Sequence, residues 1–423
     1  MKVVLVNKSD RTGGAAVACR RLLNAINKDG VDVKLLVQEK NDEDLTVEAT
    51  GTGFWKKKMN FLFFILERLY FLLYEASKEI RFAFSPAIAG ENIHKNNLIK
   101  NANIVHVHWF NQGFLSLKNL KKLIALNKPI VWTLHDMWAF TGGCHYSGDC
   151  ENYKVNCGNC PFIKKPSEKD LSYKILKKKK AILKGANIIF VTCSHWLKEK
   201  AKESSLLEGF KVVSIPNPID QKQFYPMDKK RVREKLSLPN NKKLILFAAA
   251  NVSDKRKGLS YLLKALGLMV KNNSKSVDIE IVTFGKSDDA VFNNLPFEIH
   301  NLGVLSEVKK IAEAYNAADL FVLPSLEDNL PNTIMESLAC GTPVLAFKTG
   351  GIPEMIEHKK NGYLADYKSA ADLKKGLDFI LNHPQPESLS NNALEKVHKT
   401  YNEKVVAKQY LEVYQSIIKK SKQ

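Results

Sequence analysis

An α/β protein of two doubly wound, parallel-sheet domains is the fold this sequence predicts. Three observations predict it. The chain has 423 residues, more than one core of ordinary size holds. Short apolar runs of strand length alternate with longer stretches whose apolar residues recur at helical spacing, and such alternation builds parallel sheets. The alternation breaks once, at IPNPIDQKQFYP (residues 215–226), which is dense in Pro, Asn and Asp, and then resumes.

The first half opens on a strand at residues 3–6, followed by SDRTGG, the helically spaced AAVACRRLLNAI and a second strand at 31–37. Strand, glycine-bearing turn, helix and strand make the opening unit of a doubly wound domain. Apolar runs at 104–108, 129–134, 187–192 and 212–215 supply further strands. After the linker, residues 244–249 read as a strand, 259–270 as a helix and 279–284 as a strand. A helix at 306–316 with Ser306 as its N-cap comes next, then a strand at 320–323, a short helix at 334–340 and a strand at 343–347. A helical stretch at 404–420 closes the chain. The expected division is residues 1–217, residues 218–400 and a terminal segment, 401–423, for which the first domain is a candidate packing partner.

Hydrophobic residues make up 45% of the chain and charged residues 26%, which suits a folded protein and excludes a disordered one. Lys and Arg number 64 against 44 Asp and Glu, a formal charge of +20, so anionic partners are favoured. Much of that charge is helical Lys, as at 177–180, for which a solvated face is sufficient reason. No nucleic-acid module is recognisable, so nucleic acid is not an expected partner. MKVVLVNKSD carries too short an apolar stretch for a signal peptide, and the sequence has no apolar run of about 18 residues to span a membrane. FLFFILERLYFLLY (61–74), led by Lys56, Lys57 and Lys58, suits an interfacial membrane helix and equally a helix packed on the domain core. The expected location is cytoplasmic, with the inner face of the plasma membrane as a peripheral site.

Residues 323–351, LPSLEDNLPNTIMESLACGTPVLAFKTGG, hold the densest chemistry. Asp328 lies in a loop after an apolar run, and after seven intervening residues Glu336 falls in the first turn of the expected helix. Helix N-termini attract phosphate, and carboxylates beside them can hold sugar hydroxyls, so the pattern suggests a nucleotide-sugar. Thr333 and Glu336 also stand at capping-box spacing, which would make Glu336 a cap and nothing more. The polar cluster Asp328, Asn329 and Asn332 is costly at the end of a buried strand unless it faces a ligand.

PSLEDNLPNTIMESLACGTPV resembles the signature of the family-4 retaining glycosyltransferases, and the resemblance extends upstream to DKRKGLSYLLKAL. It implies the GT-B fold, two Rossmann-like domains facing each other across a cleft. It implies that Asp328, where most members carry Glu, contacts the transferred sugar, with Glu327 the other carboxylate that could do so. Glu336 then holds the nucleotide ribose, and backbone amides at Asn332 and Thr333 meet the donor phosphates. Lys257 matches the lysine that reaches the donor diphosphate. An arginine common six residues earlier is replaced by Asn251, with Arg256 as a nearby cation. Gly285 and the Leu302–Leu305 segment resemble the turns that accept the base.

In the first domain Gly13 and Gly14 precede a helix, where glycine lets the backbone approach a ligand, although the spacing is not GxGxxG and a tight turn also accounts for it. The resemblance places donor phosphate and acceptor beside this loop, and places His135, at the end of PIVWTL, against the donor sugar. His106 and His108 share one face of a strand end. Cys144, Cys150, Cys157 and Cys160 are separated by five, six and two residues, within a Cys-rich insert at 140–161. CGNC is a good metal-binding turn, and four thiolates would close a structural zinc site; unligated thiols and a redox pair are the other readings.

The expected partners are a nucleotide-diphosphate sugar, a glycan or lipid-linked acceptor and an anionic membrane surface. No cofactor is required for catalysis by the resemblance, and family precedent points to bacterial capsule, lipopolysaccharide or exopolysaccharide assembly. A nucleotide-sugar 2-epimerase of the same fold and a non-catalytic binder of anionic glycan or nucleic acid are the alternatives.

Overall fold

A computed structural model of the protein describes residues 1–252, 254–272, 278–286 and 297–420. Internal contacts divide it into two compact units: Met1–Pro216 together with the chain from Val406 onward, and Asn217–Val405.

The first unit carries β1 (Lys2–Ser9), α1 (Gly14–Lys28), β2 (Asp32–Glu39), β3 (Val47–Ala49), α2 (Phe54–Leu72) and α3 (Asn97–Asn101). It continues through β4 (Ile104–Val107), α4 (Leu117–Ile124), β5 (Ile130–Leu134), α5 (Leu171–Leu183), β6 (Ile188–Thr192), α6 (His195–Lys202) and β7 (Lys211–Ser214). The seven strands pair in parallel in the order β3-β2-β1-β4-β5-β6-β7, so the winding reverses between β1 and β4. Strands such as β4, β5 and β6 read as unbroken apolar runs because both faces of the sheet are covered. One core layer holds Leu22, Leu23 and Ile26 of α1 against the sheet, and it includes Tyr410, Tyr414 and Ile417 of the last helix. The opposite layer takes in Phe140, Cys144, Tyr153 and Cys160, so the Cys-rich insert is part of this core.

The second unit carries α7 (Lys229–Lys235), β8 (Lys243–Asn251), α8 (Leu259–Asn272), β9 (Ile279–Lys286), β10 (Ile299–Asn301), α9 (Val308–Ala317) and β11 (Leu320–Leu323). Then come α10 (Asn332–Ala339), β12 (Val344–Phe347), α11 (Ile352–Met355), β13 (Gly362–Ala365), α12 (Ala370–Leu381) and α13 (Pro386–Thr400), and the last helix, α14 (Glu403–Lys420), belongs to the first unit from Val406 onward. Its parallel sheet runs β10-β9-β8-β11-β12-β13, reversing between β8 and β11. Ligands of open α/β sheets bind beyond the carboxyl ends of the strands at such a reversal.

One local expectation is corrected. Ser306 is not a cap: α9 begins at Val308, and Glu307 stands at its N-cap without a side-chain hydrogen bond. α2 buries Glu67, Arg68 and Phe71 and packs Tyr70 against the core, while much of its apolar surface is exposed. Phe71 stacks on Phe84, 4.6 Å between ring centroids.

Candidate active site

The second unit's reversal point is built from the turns after β8 and β11. Asp254 opens the first turn by accepting the Arg256 N–H at 2.9 Å. Gly258 closes it at φ 73°, and a Cβ there would stand 1.9 Å from the Pro324 carbonyl oxygen. Only glycine lets this turn lie flat against the end of β11. The result is a short reach from Lys257, whose Nζ donates to Asp328 Oδ2 at 2.6 Å. Ser325 Oγ donates to the same oxygen at 3.3 Å. Burial pushes the Asp328 carboxyl up, but the charges of Lys257 and Arg256 and the hydrogen bonds from Lys257 and Ser325 outweigh it and hold the group below its ordinary value. Asp328 is therefore ionised at neutral pH. Arg256 Nη1 donates to the Glu327 carbonyl oxygen at 2.7 Å and lies 3.9 Å from Asp328 Oδ2. A cation thus stands beside the carboxylate even though residue 251 is Asn. Of the two neighbouring carboxylates, Asp328 is buried and meets Lys257, while Glu327 is half-buried.

α10 begins two residues earlier than the sequence pattern suggests, with Pro331 at its N-cap and no side-chain cap. Thr333 is consequently inside the helix and Glu336 lies beyond the first turn, so the Thr333–Glu336 capping box does not form. Glu336 is buried and accepts a hydrogen bond from Tyr315 Oη at 3.3 Å. Asn332 Oδ1 accepts from Asn217 Nδ2 at 3.2 Å. Across the sheet, the Gly285 N–H donates to the Gly303 carbonyl at 2.8 Å, which brings the end of β9 to the segment containing the half-buried Leu305. Chemically, a helix N-terminus and a lysine form an anion site, and two carboxylates can accept from hydroxyl groups.

In the first unit Gly13 is the N-cap of α1 at φ 91° and Gly14 is its first residue. His108 Nδ1 and His135 Nε2 are 3.0 Å apart, and the His106 and His108 rings, tilted by 35°, have centroids 4.3 Å apart. His106 is pinned by Tyr414 Oη and Thr133 Oγ1, each at 2.7 Å. Burial lowers the His135 pKa to about 4, with Asp136 opposing in part, so its imidazole is neutral at physiological pH. Sequence reasoning missed the network beside it. Asp136 Oδ2 meets His145 Nδ1 at 2.7 Å and accepts from Trp109 Nε1 at 3.0 Å, and His145 Nε2 is 3.0 Å from Ser85 Oγ. Acid, imidazole and hydroxyl stand in the order used by serine hydrolases, but Ser85 is fully buried, so the chain is a brace for the His135 loop.

The four insert cysteines are free thiols that line one cavity of about 20 Å³. Burial pushes Cys157 up to about 11 and Cys160 up to about 12. Lys179, wholly buried, donates to the Thr141 carbonyl at 3.0 Å and is drawn by burial down to about 7. The donor set is that of a structural zinc site, yet no three of the four sulfurs lie within 4.8 Å of one another. Among the described residues, the group of three such ligands with donor atoms within 4.8 Å of one another is Glu280, Glu298 and His300.

Two family models match the chain: Glycosyltransferase Family 4 over residues 12–223 and Glycosyl transferases group 1 over residues 228–396. A relative named for colanic acid biosynthesis, a glycosyl transferase of Escherichia coli, is 26% identical over 60% of this chain and 62% of its own. The chain thus spans less than two thirds of that relative's length. The sucrose-phosphate synthase of Thermosynechococcus elongatus superposes over 99% of both chains with a TM-score of 0.68 at 19% identity. Anabaena HepE, solved in complex with UDP-glucose, superposes over 98% of this chain and 100% of its own with a TM-score of 0.61 at 14% identity. With the two parallel sheets, these likenesses establish the GT-B fold.

Proposed function

Since the chain belongs to the family-4, group 1 glycosyltransferases, we propose that it is a retaining enzyme that moves a hexose from a nucleoside-diphosphate sugar to a glycan or lipid-linked acceptor. The observation that carries the donor reading is the Lys257–Asp328 pair beside the N-terminus of α10, at the sheet's reversal point. Lys257 and the amides at Asn332 and Thr333 would hold the diphosphate and neutralise it as it leaves, a form of stabilisation that is often the largest catalytic contribution. Asp328 would accept from hydroxyls of the transferred sugar, Glu336 from the ribose, and Gly285 and Leu305 would border the base. His135, neutral, would serve as a hydrogen-bonding group to the sugar and not as a base, and Gly13 and Gly14 would let the backbone approach phosphate or acceptor. The bond from the anomeric carbon to the diphosphate oxygen breaks, the acceptor oxygen bonds to that carbon on the same face, and the acceptor's proton passes to the departing phosphate. No side chain is required as base, and no divalent ion is required for the transfer.

The UDP-glucose of the Anabaena complex supports a nucleoside-diphosphate hexose as donor. The colanic acid named for the Escherichia coli relative supports surface polysaccharide, whether capsule, lipopolysaccharide or exopolysaccharide, built at the inner membrane face. For the insert we propose a structural zinc ion that would draw Cys144, Cys150, Cys157 and Cys160 closer together than they stand without it, supported by the shared cavity and the CGNC turn. A panel of nucleoside-diphosphate sugars, each mixed with the protein and followed by thermal shift, tests the donor reading. One base and one sugar should stabilise the protein over the others, and a panel without any stabilising member contradicts it.

A further inference from the structure

Surface helices of folded proteins turn an apolar stripe to the core and charged residues to water. α2 packs Phe71 on the core but turns a second apolar stripe to water. Trp55, Met59, Leu62, Leu66, Leu69 and Leu73 recur at alternating steps of four and three, the spacing of one helix face. All six are exposed: Trp55 is 79% exposed, Leu73 is 75% exposed and none falls below 41%. Phe54 and Phe61 widen the stripe on one side, and the exposed Phe82, its ring 6.5 Å from that of Phe64, extends it beyond the helix. The charged residues of the helix's second half face inward instead. Glu67 pairs with Arg68 at 3.0 Å and accepts the Gly113 N–H at 2.9 Å, and Arg68 also donates to the Arg81 carbonyl. Such a buried ion pair has to recover a desolvation cost of several kcal/mol that a leucine in its place would not incur.

The amino end of the helix carries exposed Lys57 and Lys58 next to exposed aromatic rings, and Lys58 Nζ sits 4.3 Å from the Phe54 ring centroid. Basic and aromatic residues at one end of an apolar stripe are the composition of a helix lying in a membrane interface, where rings take the headgroup level and lysines meet anionic lipid. Among the described residues no helix is long and apolar enough to cross a membrane. The formal charge of +20 favours the same partner. We propose that α2 docks the first unit onto an anionic lipid bilayer, its Trp55–Leu73 stripe in the acyl boundary and Lys57 and Lys58 on the headgroups, with the Glu67–Arg68 pair tethering the helix to the protein. The proposal deepens the lipid-linked acceptor reading and rests on it for its purpose, although not for its physics.

Co-sedimentation of the full chain with vesicles tests it, using phosphatidylcholine alone and an equimolar mixture of phosphatidylcholine and phosphatidylglycerol. The chain should sediment with the mixed vesicles, and Lys57→Gln with Lys58→Gln should lower that partition about thirtyfold, two surface lysines being involved. Leu62→Glu with Leu69→Glu should lower it by at least about tenfold. Both positions are exposed, so the thermal midpoint of each variant should match the parent and exclude misfolding as the cause. Equal sedimentation of parent and leucine variant overturns the proposal. So does a parent that is dimeric in the ultracentrifuge and becomes monomeric in the leucine variant, since the face would then be covered by a second copy. The assay contains no donor, so its failure leaves sugar transfer standing, and failure of the nucleotide-sugar panel leaves membrane docking standing.

Discussion

Lys257 Nζ lies 2.6 Å from Asp328 Oδ2, a contact between residues 71 positions apart. The pair holds a cation and a carboxylate against each other, each neutralising the other, and in the proposed donor site a diphosphate and a sugar would compete for them. Asp328→Asn keeps the volume and removes the charge. Turnover should fall by about a hundredfold or more, the usual loss when an oriented transition-state contact is removed, with little change in nucleoside-diphosphate affinity. Lys257→Met should cost turnover by a similar factor and should also weaken nucleotide binding. The double variant should lose less than the product of the two factors, because the residues act on one another. Steady-state kinetics with calorimetric nucleotide titration separates these effects.

Glu336 is buried and accepts from Tyr315 Oη at 3.3 Å, which would orient the carboxylate for the ribose hydroxyls of the proposed donor. Glu336→Ala should raise the dissociation constant for the nucleoside diphosphate about tenfold, equivalent to about 1.4 kcal/mol. Tyr315→Phe leaves the carboxylate in place and should raise it by less.

This site was partly legible in the residues, and the reasons differ from one residue to the next. The strands 320–323 and 344–347 are unmistakable because both faces of a parallel sheet are covered, which demands an unbroken apolar run. The Lys257–Asp328 contact leaves no trace in spacing; the resemblance singles out each residue, and only the fold shows that they meet. Glu336 read as a cap because Thr333 stands three residues before it, but Pro331, whose ring fixes its own φ, starts the helix earlier and carries the pair inside. In α2 the pattern announced an amphipathic helix without saying which face meets the protein, since the partners of Glu67 and Arg68 include Gly113 and Arg81, outside any local window. His145 had no distinguishing neighbour in sequence, and only the fold carries it to Asp136.

Gly258 offers a test of the turn that positions Lys257. An alanine there would adopt φ 73° and drive its Cβ to 1.9 Å from the Pro324 carbonyl oxygen, so the two backbones must part. Gly258→Ala should destabilise the second unit by more than about 2 kcal/mol, adding strain to a steric clash, and should reduce turnover as Lys257 withdraws. Gly30 has a similar φ of 77° with nothing within 4 Å of an added Cβ, so Gly30→Ala should cost only about 1 kcal/mol. Urea unfolding of both variants measures the contrast.

Stability should depend on pH through the buried imidazoles. Burial lowers His106 from 6.5 to about 3 and His135 from 6.5 to about 4, and it holds His108 well below its ordinary value. In the window between these values the unfolded chain binds protons that the folded chain refuses, so stability is complete above about pH 6.5 and is lost as pH falls. Each group contributes a slope of up to about 1.4 kcal/mol per pH unit. Thermal midpoints should therefore fall steadily from neutral pH to about pH 5, and His106→Gln should flatten that fall.

The insert makes a separate prediction. Protein purified without chelator should carry one zinc per chain by elemental analysis, and a strong chelator should lower its thermal midpoint, because a structural metal contributes directly to folding. Cys157→Ser with Cys160→Ser should abolish both effects while nucleotide affinity stays unchanged. A metal-free protein indifferent to chelator removes zinc from the account.

The account stands or falls on whether the second unit grips an activated sugar at the start of α10. The most direct measurement is calorimetric titration of the full chain and of Glu336→Ala with the nucleoside-diphosphate sugar that the panel selects. The predicted result is saturable, one-to-one binding by the parent and about tenfold weaker binding by the variant. Identical affinities in the two proteins would contradict it.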